Sequence, residues 1–404
     1  MKQIINHFTD NDLYTFTCMY YILQKYPRAE TEYRFFDRNR TCYPKGFDLL
    51  LREQLEHLAE VVITDEEREF MTRSFPFLPY WFINVFLRGF RFNPAELTIS
   101  QDEEGHLDIR VKGKWWSTII WEMPLLATIS ELMHTLNGDT MKYDAEAEWE
   151  KSLQKGRQIW TNGLTLGDMG TRRRFTFDHQ ERVIDALIQS YAEVCKETGG
   201  HCGKFTGTSN VYFAMKKNIS CLGTMSHQCI SFEEIVSGVF ECNYNVMNKW
   251  SEVYDGNVGI FLYDCFGDRV FFNNLSKRMA MTFCGLRIDS GVEEEQVDMI
   301  VEKYKQLGID PMSKQAVFSN GLDIKRAVEI HRYCQGKITD SYGVGTFLTC
   351  DVTDCSPMNI VVKLVRGRIT ESREWHPCVK LSCDKGKTLG DAKKCEYLVS
   401  VLNE

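Results

Sequence analysis

Residues 219–231 read Ile-Ser-Cys-Leu-Gly-Thr-Met-Ser-His-Gln-Cys-Ile-Ser. An apolar run ends at Leu222, Gly223 and Thr224 break the pattern, and His227 follows before an acidic, helix-prone run that begins near Phe232. The pattern predicts a buried strand that stops in a turn and presents one histidine at its C-terminal end. Taken alone, His227 reads as an ordinary structural histidine in a strand-to-helix loop, as most lone histidines are. Its meaning depends on whether other strands of the chain end in the same way.

They do. Working outward, Leu164–Leu166 runs into Gly-Asp-Met-Gly-Thr-Arg-Arg-Arg at 167–174, and Lys204–Thr206 stops at Gly207-Thr208-Ser209-Asn210. Val258–Tyr263 stops at Asp264, Gly285–Ile288 at Asp289-Ser290-Gly291, Ala316–Phe318 at Ser319-Asn320-Gly321, and Ile338–Tyr342 at Gly343-Val344-Gly345-Thr346. Helical stripes follow most of these units, such as Val183, Ile184, Leu187 and Tyr191, or Val297, Ile300, Val301 and Tyr304. Strands alternating with helices imply a parallel sheet. Seven such units imply an irregular (β/α) barrel with its chemistry at the C-terminal ends of the strands.

The flanks differ. Tyr14–Tyr26 reads as an aromatic-rich helix, and 47–62, 65–74 and 79–87 as further helices. Thr31–Phe36, Leu97–Ser100, His106–Val111 and Trp115–Trp121 read as strands, before Pro124 opens a helix with Leu125, Ile129, Leu132, Met133 and Leu136 on one face. Near the end, Asn359–Val365 reads as a strand and Leu389–Val401 as a helix. The expected fold is α/β. An α+β sandwich domain over 1–138 precedes an irregular barrel over 139–350, and a segment over 351–404 packs back on the first domain.

A chain of 404 residues with 43% hydrophobic and 26% charged residues has the composition of a soluble globular protein. A net charge of −8 leaves no basic stripe for nucleic acid. Asp10, Asn11 and Asp12 stand where a signal peptide would need a basic region, and no apolar run reaches membrane-spanning length. The 15 cysteines show no regular framework, and Cys18, Cys221, Cys265 and Cys284 sit inside apolar patterns. Reduced thiols in the cytoplasm follow. His376, Cys378, Cys383 and Cys395 lack the Cys-x-x-Cys spacing of a zinc knuckle.

Three constellations carry chemistry. Arg172-Arg173-Arg174 loads positive charge where the following helix begins, against that helix's dipole. A bound anion held by arginine forks explains the placement better than a solvated basic patch. The turns at Ser319-Asn320-Gly321 and Gly343-Val344-Gly345-Thr346 close the last two strands, where many barrels hold phosphate on backbone N–H groups. Arg287 and Asp289 lie two apart at one strand end, so alternation puts both side chains on one face. That pair either closes the barrel top as a salt bridge or holds ribose hydroxyls or magnesium, with Asp289 as the candidate metal contact. Walker-type, His-Glu-x-x-His and Gly-x-Ser-x-Gly motifs are absent.

Together these segments resemble bacterial nicotinate phosphoribosyltransferases. The motifs include Asn11-Asp12-Leu13-Tyr14, Phe90-Arg91-Phe92-Asn93-Pro94, Trp121-Glu122-Met123-Pro124, Gly170-Thr171-Arg172-Arg173-Arg174-Phe175 and Gly207-Thr208-Ser209-Asn210. They continue with Gly223-Thr224-Met225-Ser226-His227, Leu286-Arg287-Ile288-Asp289-Ser290-Gly291, Phe318-Ser319-Asn320-Gly321 and Gly343-Val344-Gly345-Thr346. The resemblance implies nicotinate mononucleotide and pyrophosphate made from nicotinate and phosphoribosyl pyrophosphate, for NAD salvage. It implies ATP as co-substrate, Mg2+, and a phosphorylated histidine at His227, in an overall reaction of ligase type.

It also implies that Tyr14, Thr224 and Arg287 contact nicotinate, that Thr346 binds the phosphoribosyl group, and that Arg172 lies near pyridine and pyrophosphate. Arg173, Ser319, Asn320 and Gly345 complete the expected substrate set, with His227, Asp289 and Arg172 as the catalytic group. Nicotinamide-using relatives carry an acid at the position of Ser209, so serine there favours a carboxylate substrate. Members of the wider fold group often build the site across a dimer, which leaves a homodimer open. The alternatives are a phosphoribosyltransferase for nicotinamide or quinolinate, or a non-catalytic barrel that binds a phosphosugar. Two departures stand out. Val292 replaces an acid that usually follows Asp289-Ser290-Gly291, with Glu293 as the nearest stand-in, and Thr15 replaces a lysine after Tyr14.

Overall fold

Two sheets organise the chain, one antiparallel and one parallel. The computed structural model describes residues 2–381, 388 and 390–403. Among them the strands are β1 (Glu30–Asp37), β2 (Leu97–Gln101), β3 (Leu107–Lys114), β4 (Thr165–Asp168), β5 (Lys204–Thr208) and β6 (Ile260–Leu262). They continue with β7 (Gly285–Ile288), β8 (Gln315–Phe318), β9 (Thr339–Val344), β10 (Ile360–Arg368) and β11 (His376–Pro377). The antiparallel sheet has the order β11-β10-β1-β3-β2 and the parallel sheet β5-β4-β9-β8-β7-β6.

The antiparallel sheet joins the two ends of the chain. β1 pairs along its whole length with β10, from Glu30 opposite Arg368 to Asp37 opposite Ile360. Glu30 and Glu32 take Arg368 and Arg366 across that seam, so the register is marked by charge as well as by apolar alternation. The expected return of the C-terminal segment onto the N-terminal part is therefore a strand inserted beside β1.

The strands and helices expected between residues 164 and 344 appear close to their predicted bounds. Asp323 caps the helix Ile324–Cys334 by accepting from the Arg326 N–H at 2.7 Å. Three expectations fail locally. Trp115–Trp121 is a helical turn, Trp115–Thr118, followed by a 3-10 turn, Ile119–Trp121, rather than a strand. Trp115, Ile119, Ile120 and Trp121 are buried and Trp116 is partly so, and a short apolar run of that kind fits either period. The helix-prone run near Phe232, expected as one long helix to about Tyr254, is two helices, His227–Ser237 and Cys242–Tyr254, separated at Gly238.

The third difference concerns the segment before His227. Residues 219–222 form no strand and meet β5 through one parallel bridge, Thr208 to Cys221. The Thr208 N–H donates to Ser220 at 3.2 Å and the Leu222 N–H to Thr208 at 2.8 Å. Gly207 makes this crossing, because its φ of +105° is open only to glycine and a Cβ there would lie 1.9 Å from the Ser220 carbonyl. His227 consequently opens a helix rather than closing a strand.

Candidate functional site

A cavity of about 850 Å³ opens where the parallel strands end. It is lined by Tyr14, Arg172, Arg173, Ser209, Thr224, His227, Arg287, Asp289, Ser319, Asn320, Gly345 and Thr346, every one of the expected site residues. β7 ends in Ile288, and Arg287 and Asp289 both face the cavity, as two-residue spacing predicts. Ser319, one strand over, accepts from Arg287 Nε at 2.8 Å and donates to Asp289 at 2.9 Å. Ser319 thus holds the cation and the carboxylate in a fixed relation.

The three arginines separate by role. Thr171–Arg173 is a single 3-10 turn, and the long helix starts only at Phe177 with Thr176 as its cap. Arg172 and Arg173 face the cavity, whereas Arg174 is fully buried. Its two terminal nitrogens donate to the two oxygens of Asp10 at 2.7 and 2.8 Å. Asn210 donates to the same carboxylate at 2.7 Å, so Arg174 ties the turn to residues near the start of the chain and after β5. The turn itself hangs on Asp168, which accepts from the Gly170 N–H at 2.8 Å and from Thr208 at 2.7 Å.

Arg172 lies 3.4 Å from Glu122, and Glu122 accepts from the Tyr14 hydroxyl at 2.7 Å. Tyr14 therefore reaches the cavity of its own chain. Burial works against the Arg173 guanidinium, and its neighbours Arg172 and Arg38 push in the same direction, bringing it down to about 10. Ser209 donates to Asp12 at 2.8 Å, and burial raises that carboxyl to about 6. A carboxylate therefore stands behind Ser209, supplied by a different segment.

His227 sits in the most tightly built part of the cavity. Its Nε2 is 2.8 Å from Asp264 Oδ1, 2.8 Å from Lys380 Nζ and 3.8 Å from Asp289 Oδ2. Ser290 donates to the other Asp264 oxygen at 2.6 Å. Burial, then Lys380, push the imidazole down to about 4, so it is neutral at pH 7 although Asp264 and Asp289 pull the other way. Burial would raise Asp264, but His227 and Lys380 overcome it and hold the carboxyl far below its usual range. Burial is likewise overcome at Asp289, which Arg287, Lys380 and His227 bring to about 2.

Lys380, Lys363, Glu122, Asp12 and Asp264 belong to this network of charges beside the expected residues. Asp264 was visible as a polar strand end; Lys363 lies in an expected strand whose alternation gives no hint of a cavity. Lys380 stands in a short segment without a motif. Glu293 does not replace the missing acid at 292, because it is held by Arg326 at 2.8 Å. Thr15 is buried and does not line the cavity. Cys383 lies outside the described residues, and among those described no metal-type cluster contains His376, Cys378 or Cys395. Among the described residues no helix is long and apolar enough to cross a membrane.

The model of the nicotinate phosphoribosyltransferase N-terminal domain matches residues 9–130, and the model of the nicotinate phosphoribosyltransferase family matches residues 164–404. This chain belongs to the nicotinate phosphoribosyltransferase family. A nicotinate phosphoribosyltransferase from Desulforapulum autotrophicum is 37% identical over 399 residues, 99% of each chain. One from Methanosarcina mazei is 35% identical over 96% of each. The crystal structure of nicotinate phosphoribosyltransferase from Porphyromonas gingivalis superposes with a TM-score of 0.93 at 39% identity, covering 99% of this chain and 100% of that one. The family's fold is thus present from end to end.

Proposed function

We propose that the chain joins nicotinate to phosphoribosyl pyrophosphate, giving nicotinate mononucleotide and pyrophosphate, and couples this to ATP hydrolysis through a phosphoryl group on His227. One observation carries the coupling. A neutral imidazole nitrogen lies 2.8 Å from both a lysine ammonium and a carboxylate, in the same cavity as Tyr14, Arg172, Thr224 and Arg287.

His227 Nε2 has two arrangements. It donates its proton to Asp264, or it accepts from Lys380 with the proton on Nδ1. The second keeps Nε2 unprotonated, so that as Lys380 turns to the γ-phosphoryl group of ATP the released lone pair can take that group, with ADP leaving. Lys380 then stands where it neutralises the new phosphate charge. The ring nitrogen of nicotinate attacks the anomeric carbon as pyrophosphate departs, so the protein's task is positioning and charge stabilisation. Tyr14, Thr224 and Arg287 orient the pyridine carboxylate. Arg172 and Arg173 face the departing pyrophosphate, and the turns at Ser319-Asn320 and Gly345-Thr346 hold the phosphoribosyl phosphate. Mg2+ suits the site only as an ion shared with substrate phosphates: Lys380 already lies 3.2 Å from Asp264 and 3.7 Å from Asp289, the oxygens available to it. Bound there, it adds charge neutralisation at the pyrophosphate.

Within this reading the parallel strands form an irregular barrel, with residues 219–222 bridging beyond β5, and the flanks form the sandwich domain. The enzyme works in the cytoplasm, and Tyr14 needs no second subunit to reach its cavity, whether or not a homodimer forms. Asp12 is a feature on the side of nicotinamide, whose amide could donate to it. The cationic groups Arg172, Arg173 and Arg287 outweigh it and favour the carboxylate substrate. Incubation with nicotinate, phosphoribosyl pyrophosphate, Mg2+ and ATP is expected to give nicotinate mononucleotide with ADP in rough proportion. Turnover of nicotinamide without turnover of nicotinate overturns the substrate. ATP coupling that persists in full in His227→Ala overturns the phosphohistidine.

A further inference from the structure

Away from the cavity, the end of the helix Glu122–Leu136 and the segment after β9 bring four side chains of metal-binding type together. His134 Nδ1 is 2.9 Å from Asp139 Oδ2 and 3.2 Å from Cys355 Sγ, and that sulfur is 3.8 Å from Asp139 Oδ2. Cys350 Sγ approaches the other ring nitrogen, Nε2, at 3.5 Å. None of the four lines the cavity.

We propose that His134 Nδ1, Asp139 Oδ2 and Cys355 Sγ form a binding site for one divalent transition metal of zinc type, with Cys350 as the outer partner of the same imidazole. Zinc bonds of about 2.0–2.3 Å place tetrahedral donors roughly 3.3–3.7 Å apart. The three separations here bracket that span, and small side-chain rotations close the set. A thiolate, an imidazole and a carboxylate together select zinc-type ions over magnesium or calcium, which take oxygen alone. Ligation through Nδ1 leaves Nε2–H to donate, and Cys350 Sγ stands there to accept, as the outer partner of a metal-bound histidine does.

The surroundings suit an inner wall and an outer entrance. His134 is buried with its ring 5.0 Å from that of Phe175, and Tyr143 stacks on Phe175 at 5.4 Å. Cys355 and Asp139 are only partly buried, which gives an ion a path in and a fourth position for water. The chain is turned to deliver the sulfur. Asp354 has φ +57° and the Cys355 N–H returns to Val352 at 3.1 Å. A bound ion would clip the helix end to the segment that follows the Thr346–Thr349 turn, since the Cys350 N–H donates to Thr346 at 3.0 Å.

The test is a titration of the purified full chain with Co2+, read by its visible and thiolate charge-transfer bands. One equivalent is expected to saturate the bands and Zn2+ to displace it. Cys355→Ser is expected to lose the thiolate band, while Cys195→Ser keeps it. The latter control removes a separate close thiol pair, Cys195 and Cys202, whose sulfurs are 3.0 Å apart. No band in the wild type, or a band unchanged in Cys355→Ser, overturns the site. A second reading needs no variant: Zn2+ is expected to shield Cys355 from iodoacetamide in the wild type, and equal labelling with and without Zn2+ overturns the proposal.

Discussion

Two walls of the cavity are built by different means. One is the edge of the parallel sheet, where short strands release Arg172, Arg287, Asp289, Ser319 and Thr346 in turn. The other comes from the chain's two ends, with Tyr14 and Glu122 on one side and Lys363 and Lys380 on the other. At the sheet edge, position follows from strand registry, and each polar residue sits where its strand stops. The opposite wall depends on β10 pairing with β1 across some three hundred residues of sequence. In the proposed function the first wall supplies most of the substrate contacts, and the second supplies Lys380 beside His227. On the proposed function, chemistry at His227 would depend on tertiary closure as much as on the parallel sheet.

The largest effect should come from within the sheet-edge wall, where one motif does two jobs. Arg174→Met leaves Asp10 buried and unpaired, and loss of roughly 3–5 kcal/mol of stability is expected in denaturant unfolding. Arg172→Met is expected to lower kcat/KM with little change in unfolding midpoint; equal destabilisation by the two would erase the distinction. Next, Lys380→Met tests the opposite wall. It should lower ATP-coupled turnover by roughly 10²–10³-fold, the range for one charge-stabilising donor. Wild-type coupling in this variant would confine the chemistry to the sheet edge.

A smaller effect is expected from Lys363, read through pH. Burial, reinforced by Arg172 and Lys380 against the pull of Glu122, lowers its ammonium from 10.5 to about 8. Affinity for anionic substrate should therefore fall, by about tenfold or less, as pH rises through about 8. Stability moves oppositely. Between pH 8 and 10.5 the unfolded chain holds more protons at this group, so its contribution to stability rises with pH. Lys363→Met should flatten both trends, and a pH profile identical to wild type would sink the assignment. Smallest of all, the exposed pair Lys25–Glu252 should matter by less than about 1 kcal/mol when either partner is replaced.

The sheet-edge wall was legible in the sequence because period, glycine and polar residue coincide at each strand end. Arg287 and Asp289 could be placed on one face from their spacing alone. Lys363 could not, because a lysine inside Val-Val-Lys-Leu-Val looks like the solvent face of an edge strand. Only pairing with β1 turns it inward, and pairing between distant segments leaves no local mark. Trp115–Trp121 misled for a related reason: its residues, most of them apolar, are buried or partly buried at every position, so neither period shows. The arginine triplet was legible as an anion site but not as two functions, since Asp10 lies 164 positions from Arg174.

Residues 219–222 hang from β5 by a pair of backbone hydrogen bonds, and among the described residues no second strand lies beyond them. A ladder strand is bonded on both sides, whereas this segment is bonded to a strand on one side only, its other backbone links including the Ile219 N–H to Ala214 and the Thr224 carbonyl to Thr17. The amides of 219–226 are accordingly expected to exchange with deuterium well ahead of those in β4 and β9, and to slow when His227 is phosphorylated. Exchange at the same rate as the central strands would mean that the segment is fixed, and that the histidine changes its charge without changing its place.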